Sequence, residues 1–260
     1  MKIAILVPTR ERLNKKLTLL NSILCTANDI NNVTVYFGVD LDDPKRETIL
    51  RMAKAFTFLK IVDIPAQPNV SVNINKIWNQ LAAVATEEVF GYIGDDMVFR
   101  TNNWDVEILK EFSDEKLPKD KIKCVHCDDG FHKHAICINA FMHRAYYDTI
   151  GYFVRDEFLV NWSDQWMFQI YKSLDRLTYR GDIYIEHEQW MVKQIKQKIS
   201  LQPDSVTQRM LDRDNSDNKA RSDGFWDILG PERDKEVAFW EKKLNIKANY
   251  AVVENSFRKK

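Results

Sequence analysis

Four short apolar runs, separated by segments of helical periodicity, limit what the first ninety-odd residues can become. The runs are IAILVP (3–8), NVTVYFGVD (32–40), LKIVDIP (59–65) and VFGYIGD (89–95). Continuous apolar runs of this length suit strands covered on both faces. Between them lie RLNKKLTLLNSILCTA (12–27), RETILRMAKAF (46–56) and VNINKIWNQLAAVA (72–85), whose apolar residues recur near helical spacing. Strand–helix alternation of this kind predicts an α/β domain around a mostly parallel sheet flanked by helices.

Beyond residue 96 the rhythm changes. NWDVEILKEF reads as a helix, KIKCVHC and HAICINAFMHR as strands, WSDQWMFQIYKSLDR as a helix and IYIEHE as a last short strand. From about residue 190 the chain is polar and charged, with RDNSDNKARSDG the segment best suited to a mobile loop and DKEVAFWEKKLNI to a closing helix. This reading gives one domain over 1–190 and a helical or irregular extension over 191–260 that packs on it.

Bulk properties narrow the classes. The 45% hydrophobic content can build a core, and equal numbers of basic and acidic residues, 38 each, remove the simple electrostatic case for a nucleic-acid binder. Four cysteines are too few for a disulfide scaffold at this length. No run approaches the roughly 18 apolar residues of a membrane span, and the N-terminal run is too short for a signal peptide. A soluble, cytoplasmic protein is the expectation.

Three of the strands end on residues able to hold a ligand: Pro8, Thr9 and Arg10; Asp40 with Asp42; and Asp95 with Asp96. In open α/β sheets ligands bind beyond the carboxyl ends of the strands, so these ends face one crevice. An aspartate in such a place can also cap a helix or a turn. Burying two adjacent carboxylates is costly without compensation by an arginine, by backbone donors or by a metal ion.

The order of these pieces resembles the GT-A glycosyltransferases that use nucleotide-sugar donors, family 2 in particular, over about residues 1–190. The carriers are the opening strand into PTR, the second strand into VD, and IWNQLAAVATEEVFGYIGDD, in which an Asn-bearing helix leads to an acidic strand end. Asn79 falls at the family's Asn and Asp96 at the last Asp of its Asp-x-Asp motif, whereas Gly94 replaces the first. The resemblance implies that Asp96 holds Mn²⁺ (or Mg²⁺), that Asp95 faces the ribose or a metal-bound water, and that Pro8, Thr9, Arg10, Asp40, Asp42 and Asn79 serve the nucleotide. A divalent ion is chemically apt, because it takes one or two protein acids and fills its other sites with phosphate oxygens and water.

Two later stretches extend the resemblance. In GYFVRDEFLVNWSDQWMFQIY, Asp164 falls where inverting members place the general base, with Ser163 where a second acid often stands. An acid there also suits a helix N-terminus for electrostatic reasons alone. In GDIYIEHE, His187 falls where many GT-A enzymes supply a further metal contact, and an imidazole ligand favours manganese over magnesium. Asp128 and Asp129 resemble a loop on the sugar or acceptor side, and Trp162 beside the base offers an aromatic face.

The implied activity is metal-dependent, inverting transfer from a nucleoside-diphosphate sugar, UDP-linked, to a hydroxyl of a glycan, a protein or a hydroxymethylated DNA base. Two alternatives stand beside it. A nucleotidyltransferase of similar fold would ordinarily open on a Gly-rich loop, and VPTRERLNKKL has no glycine. A zinc-knuckle-like nucleic-acid-binding protein would use Cys124, Cys127, His132 and Cys137, which have C-x2-C-x4-H-x4-C spacing. Against zinc, Cys124 and Cys137 sit in apolar runs where a thiol packs as a small hydrophobe.

Overall fold

All seven residues of β1 (Ile3–Thr9) are buried, and their side chains divide by alternation between two cores. Ala4 and Leu6 enter one, Ile3, Ile5 and Val7 the other, which is what a strand covered on both faces requires. The computed structural model describes residues 1–66, 73–158, 162–189, 194, 197–198, 200–205, 208 and 225–251.

The chain alternates as the periodicity predicts: α1 (Leu13–Thr26), β2 (Val33–Asp40), α2 (Arg46–Ala55), β3 (Leu59–Ile64), α3 (Ile74–Val84) and β4 (Val89–Tyr92). There follow β5 (Met97–Phe99), α4 (Trp104–Glu111), β6 (Cys124–Asp128), β7 (Ala140–His143), α5 (Ala145–Ile150), α6 (Ser163–Ser173), β8 (Leu177–His187) and α7 (Phe225–Leu244). The eight strands form one sheet in the order β3-β2-β1-β4-β7-β6-β8-β5. β1, β2, β3 and β4 run parallel, as do β6 and β8, while β7 and β5 pair antiparallel to their neighbours.

Two expectations about elements change. HAICINAFMHR is a strand only over Ala140–His143, because Lys133–Ala135 forms a 3-10 turn and the buried Asn139 spends its side chain as a cross-link. Asn139 accepts from Cys127 N–H at 2.9 Å and donates to the Ile185 carbonyl at 3.0 Å. The last strand is longer than IYIEHE, running from Leu177 along β6 and then turning its far half to β5. The polar segment 213–224, the basic tail 258–260 and, within 193–198, residues 193, 195 and 196 lie outside the described residues.

α3 lies close on the sheet at Gly38, where an added Cβ would come within 2.5 Å of Ile77 Cγ2. α7 joins the α6 side of the core through Val237 and Trp240, both 0% exposed. Its Glu236 is buried among three donors, Tyr146, Tyr152 (2.5 Å) and Trp166 Nε1 (3.1 Å). Burial pushes the Glu236 carboxyl above the usual range, and the tyrosines moderate that rise.

Candidate active site

The GDD turn between β4 and β5 gives its two acids different surroundings. Asp95 is 5% exposed, accepting from Thr9 Oγ1 at 2.7 Å and from Arg12 Nη1 at 2.8 Å. These charge-assisted bonds offset its desolvation. Asp95 thus ties the loop after β1 to the acidic turn.

Asp96 opens toward β8. Its Oδ1 lies 3.5 Å from His187 Nε2 and its Oδ2 3.5 Å from Lys15 Nζ. The approach is set by the backbone: Met97 pairs opposite His187, and the Asp96 carbonyl accepts from Glu188 N–H at 2.9 Å. Burial works to raise the Asp96 carboxyl, but His187, Lys15 and Arg12 outweigh it and hold it well below the usual range. For His187 the opposition is reversed: burial disfavours the charged imidazole, and Asp96 more than restores it.

Gly94 makes room for this arrangement. A Cβ at that position would come within 2.9 Å of Asp96 Oδ1. The glycine that departs from the Asp-x-Asp pattern therefore leaves the carboxylate free to reach His187.

The donor set fits a divalent cation. One carboxylate and one imidazole face each other, with Asp96 Oδ1 3.5 Å from His187 Nε2. Among those residues no group of three or more His, Cys, Asp or Glu is placed to hold a metal. Two protein ligands suit an ion that completes its shell with phosphate and water.

The loop after β1 is shaped by its own partners. Glu11 and Arg12 both take positive φ, 54° and 30°, which is unfavourable for residues with side chains and persists only when held. Asp43 Oδ2 accepts from Glu11 N–H at 2.8 Å, and the Lys16 ammonium donates to the Glu11 carbonyl. Burial lowers Lys16 to about 8, against the pull of Asp95 and Asp43. Arg10 reaches the end of β2, donating to Asp40 Oδ2 at 2.8 Å and Asp42 Oδ1 at 2.7 Å. Burial pushes Asp40 up in spite of Arg10, whereas the exposed Asp42 is held down by it. Pro8 is buried within β1, opposite Gly38.

On the β8 side, Asp164 sits in the first turn of α6, accepting from Gln165 N–H at 2.8 Å. Burial raises its carboxyl above the usual range, and His132 and His187 exert the opposite pull. Trp162 caps α6 with φ 80° and packs partly against the core. Asp128 accepts from Gly130 N–H at 2.7 Å.

Two expected site residues are committed elsewhere. Asp129 is 1% exposed: Oδ1 accepts from the backbone of Phe131, His132 and Lys133, and Oδ2 meets His132 Nδ1 at 2.8 Å. These bonds overcome burial and bring the carboxyl to about 2. It organises its loop, and its carbonyl accepts from His187 N–H at 3.1 Å. Asn79 donates to the Val154 carbonyl at 2.8 Å and accepts from Phe153 and Val154 N–H at 2.8 and 3.0 Å. Its amide is spent on positioning the loop that precedes α6.

The zinc alternative fails on strand geometry. Cys124 and Cys127 lie three apart on β6 and enter the two different cores, on opposite faces of the sheet. They cannot share an ion, and His132 is turned to Asp129. Arg12, Lys15, Lys16, Asp43 and Asp204 are the site residues that sequence reasoning missed. Charged residues near a helix or in a polar segment ordinarily read as a solvated face.

No protein-family model matches the chain, and no curated protein matches it by sequence. Solved structures do share its architecture. S. aureus TarS 1–349 aligns with a TM-score of 0.57 and 15% identity over 86% of this chain and 74% of that one. TarS 1–349 in complex with UDP-GlcNAc gives 0.55 and 16% over 73% and 59%. The mannosyltransferase PcManGT from Pyrobaculum calidifontis, in complex with GDP-Man and Mn²⁺, gives 0.56 and 13% over 75% and 60%. The chain spans 36% of another TarS chain and 60% of TarS 1–349 in complex with UDP. It has the GT-A fold, an architecture of nucleotide-sugar glycosyltransferases. Among the described residues, no helix is long and apolar enough to cross a membrane.

Proposed function

We propose that this protein is a metal-dependent, inverting glycosyltransferase that moves a sugar from a nucleoside-diphosphate donor, UDP-linked, to an acceptor hydroxyl, that of a glycan first. The observation that carries the reading is the Asp96–His187 pair at the mouth of a GT-A sheet. Structures of the same fold hold UDP-GlcNAc in one case and GDP-Man with Mn²⁺ in another, which supports such a donor here. Residues 1–190 would form the catalytic domain, with 191–260 an extension packed on it.

Asp96 and His187 would hold Mn²⁺, which supplies charge neutralisation of the departing diphosphate. Asp40 offers acceptors to the ribose or base, and Arg10 fixes its orientation. The acceptor oxygen attacks the anomeric carbon as the bond to the diphosphate oxygen breaks. Its proton passes to Asp164, whose raised affinity for protons makes it a stronger base than an ordinary carboxylate. Attack from the face opposite the leaving group inverts the configuration without a covalent intermediate.

The test is calorimetric titration of UDP and GDP into the protein, with and without Mn²⁺, and into Asp96→Ala. Manganese-dependent binding of one nucleotide, lost in the variant, is the expected result. Binding indifferent to both metal and Asp96 would sink the metal assignment, and binding of neither nucleotide would sink the UDP reading. With a donor in hand, the anomeric configuration of the product decides the stereochemistry.

A further inference from the structure

Two cations border the acidic turn, and the proposed transfer chemistry uses neither. Arg12 immediately precedes α1 and Lys15 lies in its first turn. Arg12 Nη1 is 2.8 Å from Asp95 Oδ1, and Lys15 Nζ is 3.5 Å from Asp96 Oδ2. A third carboxylate spans the pair. Asp204 places Oδ1 3.3 Å from Arg12 Nη2 and Oδ2 3.8 Å from Lys15 Nζ.

Asp204 reaches this position from 192 residues along the chain. Its side chain is 39% exposed, against 12% for Arg12 and 27% for Lys15. An anion with one oxygen on a guanidinium and another on an ammonium reproduces how a phosphate bridges two such groups. The contacts are long and solvent-accessible, so they are weak and screened, and a more highly charged anion would replace them. The two cations are held differently: Arg12 meets Asp95 at 2.8 Å, whereas the ion pairs of Lys15 with Asp96 and Asp204 are longer, at 3.5 and 3.8 Å.

The geometry points to Arg12 and Lys15 as the cations that bind the donor's diphosphate, with Asp204 as a resident anion that the diphosphate displaces. This assignment rests on the crevice being a nucleoside-diphosphate site. It adds a consequence for affinity: the donor binds only the fraction of molecules in which Asp204 has left, so its apparent dissociation constant is raised by that fraction. Binding would therefore release the segment at 200–205 from the mouth of the crevice. A ligand without phosphates has nothing to offer the two cations and leaves Asp204 where it is.

The experiment titrates UDP, GDP and the parent nucleosides, with Mn²⁺, into the full chain and into Asp204→Asn, Lys15→Gln and Lys15→Arg. Thermal melts confirm that each variant is folded. Asp204→Asn should bind the diphosphate ~3–10-fold more tightly with nucleoside affinity unchanged. Lys15→Gln should weaken diphosphate binding about 10-fold, and Lys15→Arg should recover most of it. A contact that merely docked the extension would lower the melting temperature of Asp204→Asn and leave affinity alone. Diphosphate binding to the wild type that neither Asp204→Asn nor Lys15→Gln changes overturns this assignment while the transferase reading stands. Absence of diphosphate binding in both the wild type and Asp204→Asn overturns the two together.

Discussion

Thr9 donates its hydroxyl to Asp95 at 2.7 Å, with both residues 5% exposed, and so fastens the end of β1 to the turn after β4. The bond joins positions 86 residues apart. Thr9→Val keeps the shape of the side chain and removes the donor, so it should cost about 1–3 kcal/mol, the ordinary penalty for an under-satisfied buried acceptor. Asp95→Ala also takes the closest carboxylate from Arg12, and about 3 kcal/mol or more is expected. Urea unfolding with an unchanged slope would measure both.

Gly94 is the second lever on the same turn. Gly94→Ala puts a methyl group within 2.9 Å of Asp96 Oδ1, so the carboxylate must swing from His187. Manganese-dependent nucleotide binding should fall about tenfold, while the melting temperature moves little because Gly94 has no positive φ to defend. Unchanged metal-dependent affinity would show that Asp96 does not need its present orientation.

Asp164 should separate binding from turnover. Asp164→Asn is expected to keep nucleotide affinity and to lose roughly 10²–10⁴ in kcat. Because burial raises this carboxyl, its base form appears only as pH climbs past the ordinary carboxylate value. The acid limb of kcat/KM should therefore lie above about 3.9, and activity should rise with pH through it. An acid limb at or below the ordinary value would place the base elsewhere.

His126, on β6, gives the protein a pH-dependent stability unrelated to catalysis. It is 1% exposed, packs against the rings of Phe168 and Tyr179, and is held by burial to about 4. The unfolded chain takes up this proton near 6.5, so between about 6.5 and 4 it binds more protons than the folded one. Stability is present in full above that window and falls as pH drops through it, by up to about 1.4 kcal/mol per pH unit. His126→Phe should flatten this slope in denaturant titrations at successive pH values.

Local pattern determined a large part of the molecule. The alternation of β1 through β4 with α1 through α3 is legible because a strand buried on both faces must be apolar throughout and a helix must show its stripe to the sheet. The acids at the ends of β2 and β4 were legible too, since charge at the end of an apolar run demands a reason. What no periodicity could show was the partner of each charge. Asp95 and Asp96 are neighbours in sequence, yet Asp95 turns to Thr9 and Arg12 while Asp96 meets His187, delivered by the pairing of β5 with β8. Cys124 and Cys127 have metal-ligand spacing, and the strand sends them to opposite faces. Asn79, expected on the donor side, holds the 153–154 loop through its amide. Arg12, Lys15 and Asp204 look like solvated charges until the fold brings the two cations to one carboxylate. The hydrophobic pattern that marks a strand or a helix lies within a few residues, whereas a site is made of groups that only the assembled sheet brings within a few ångströms of one another.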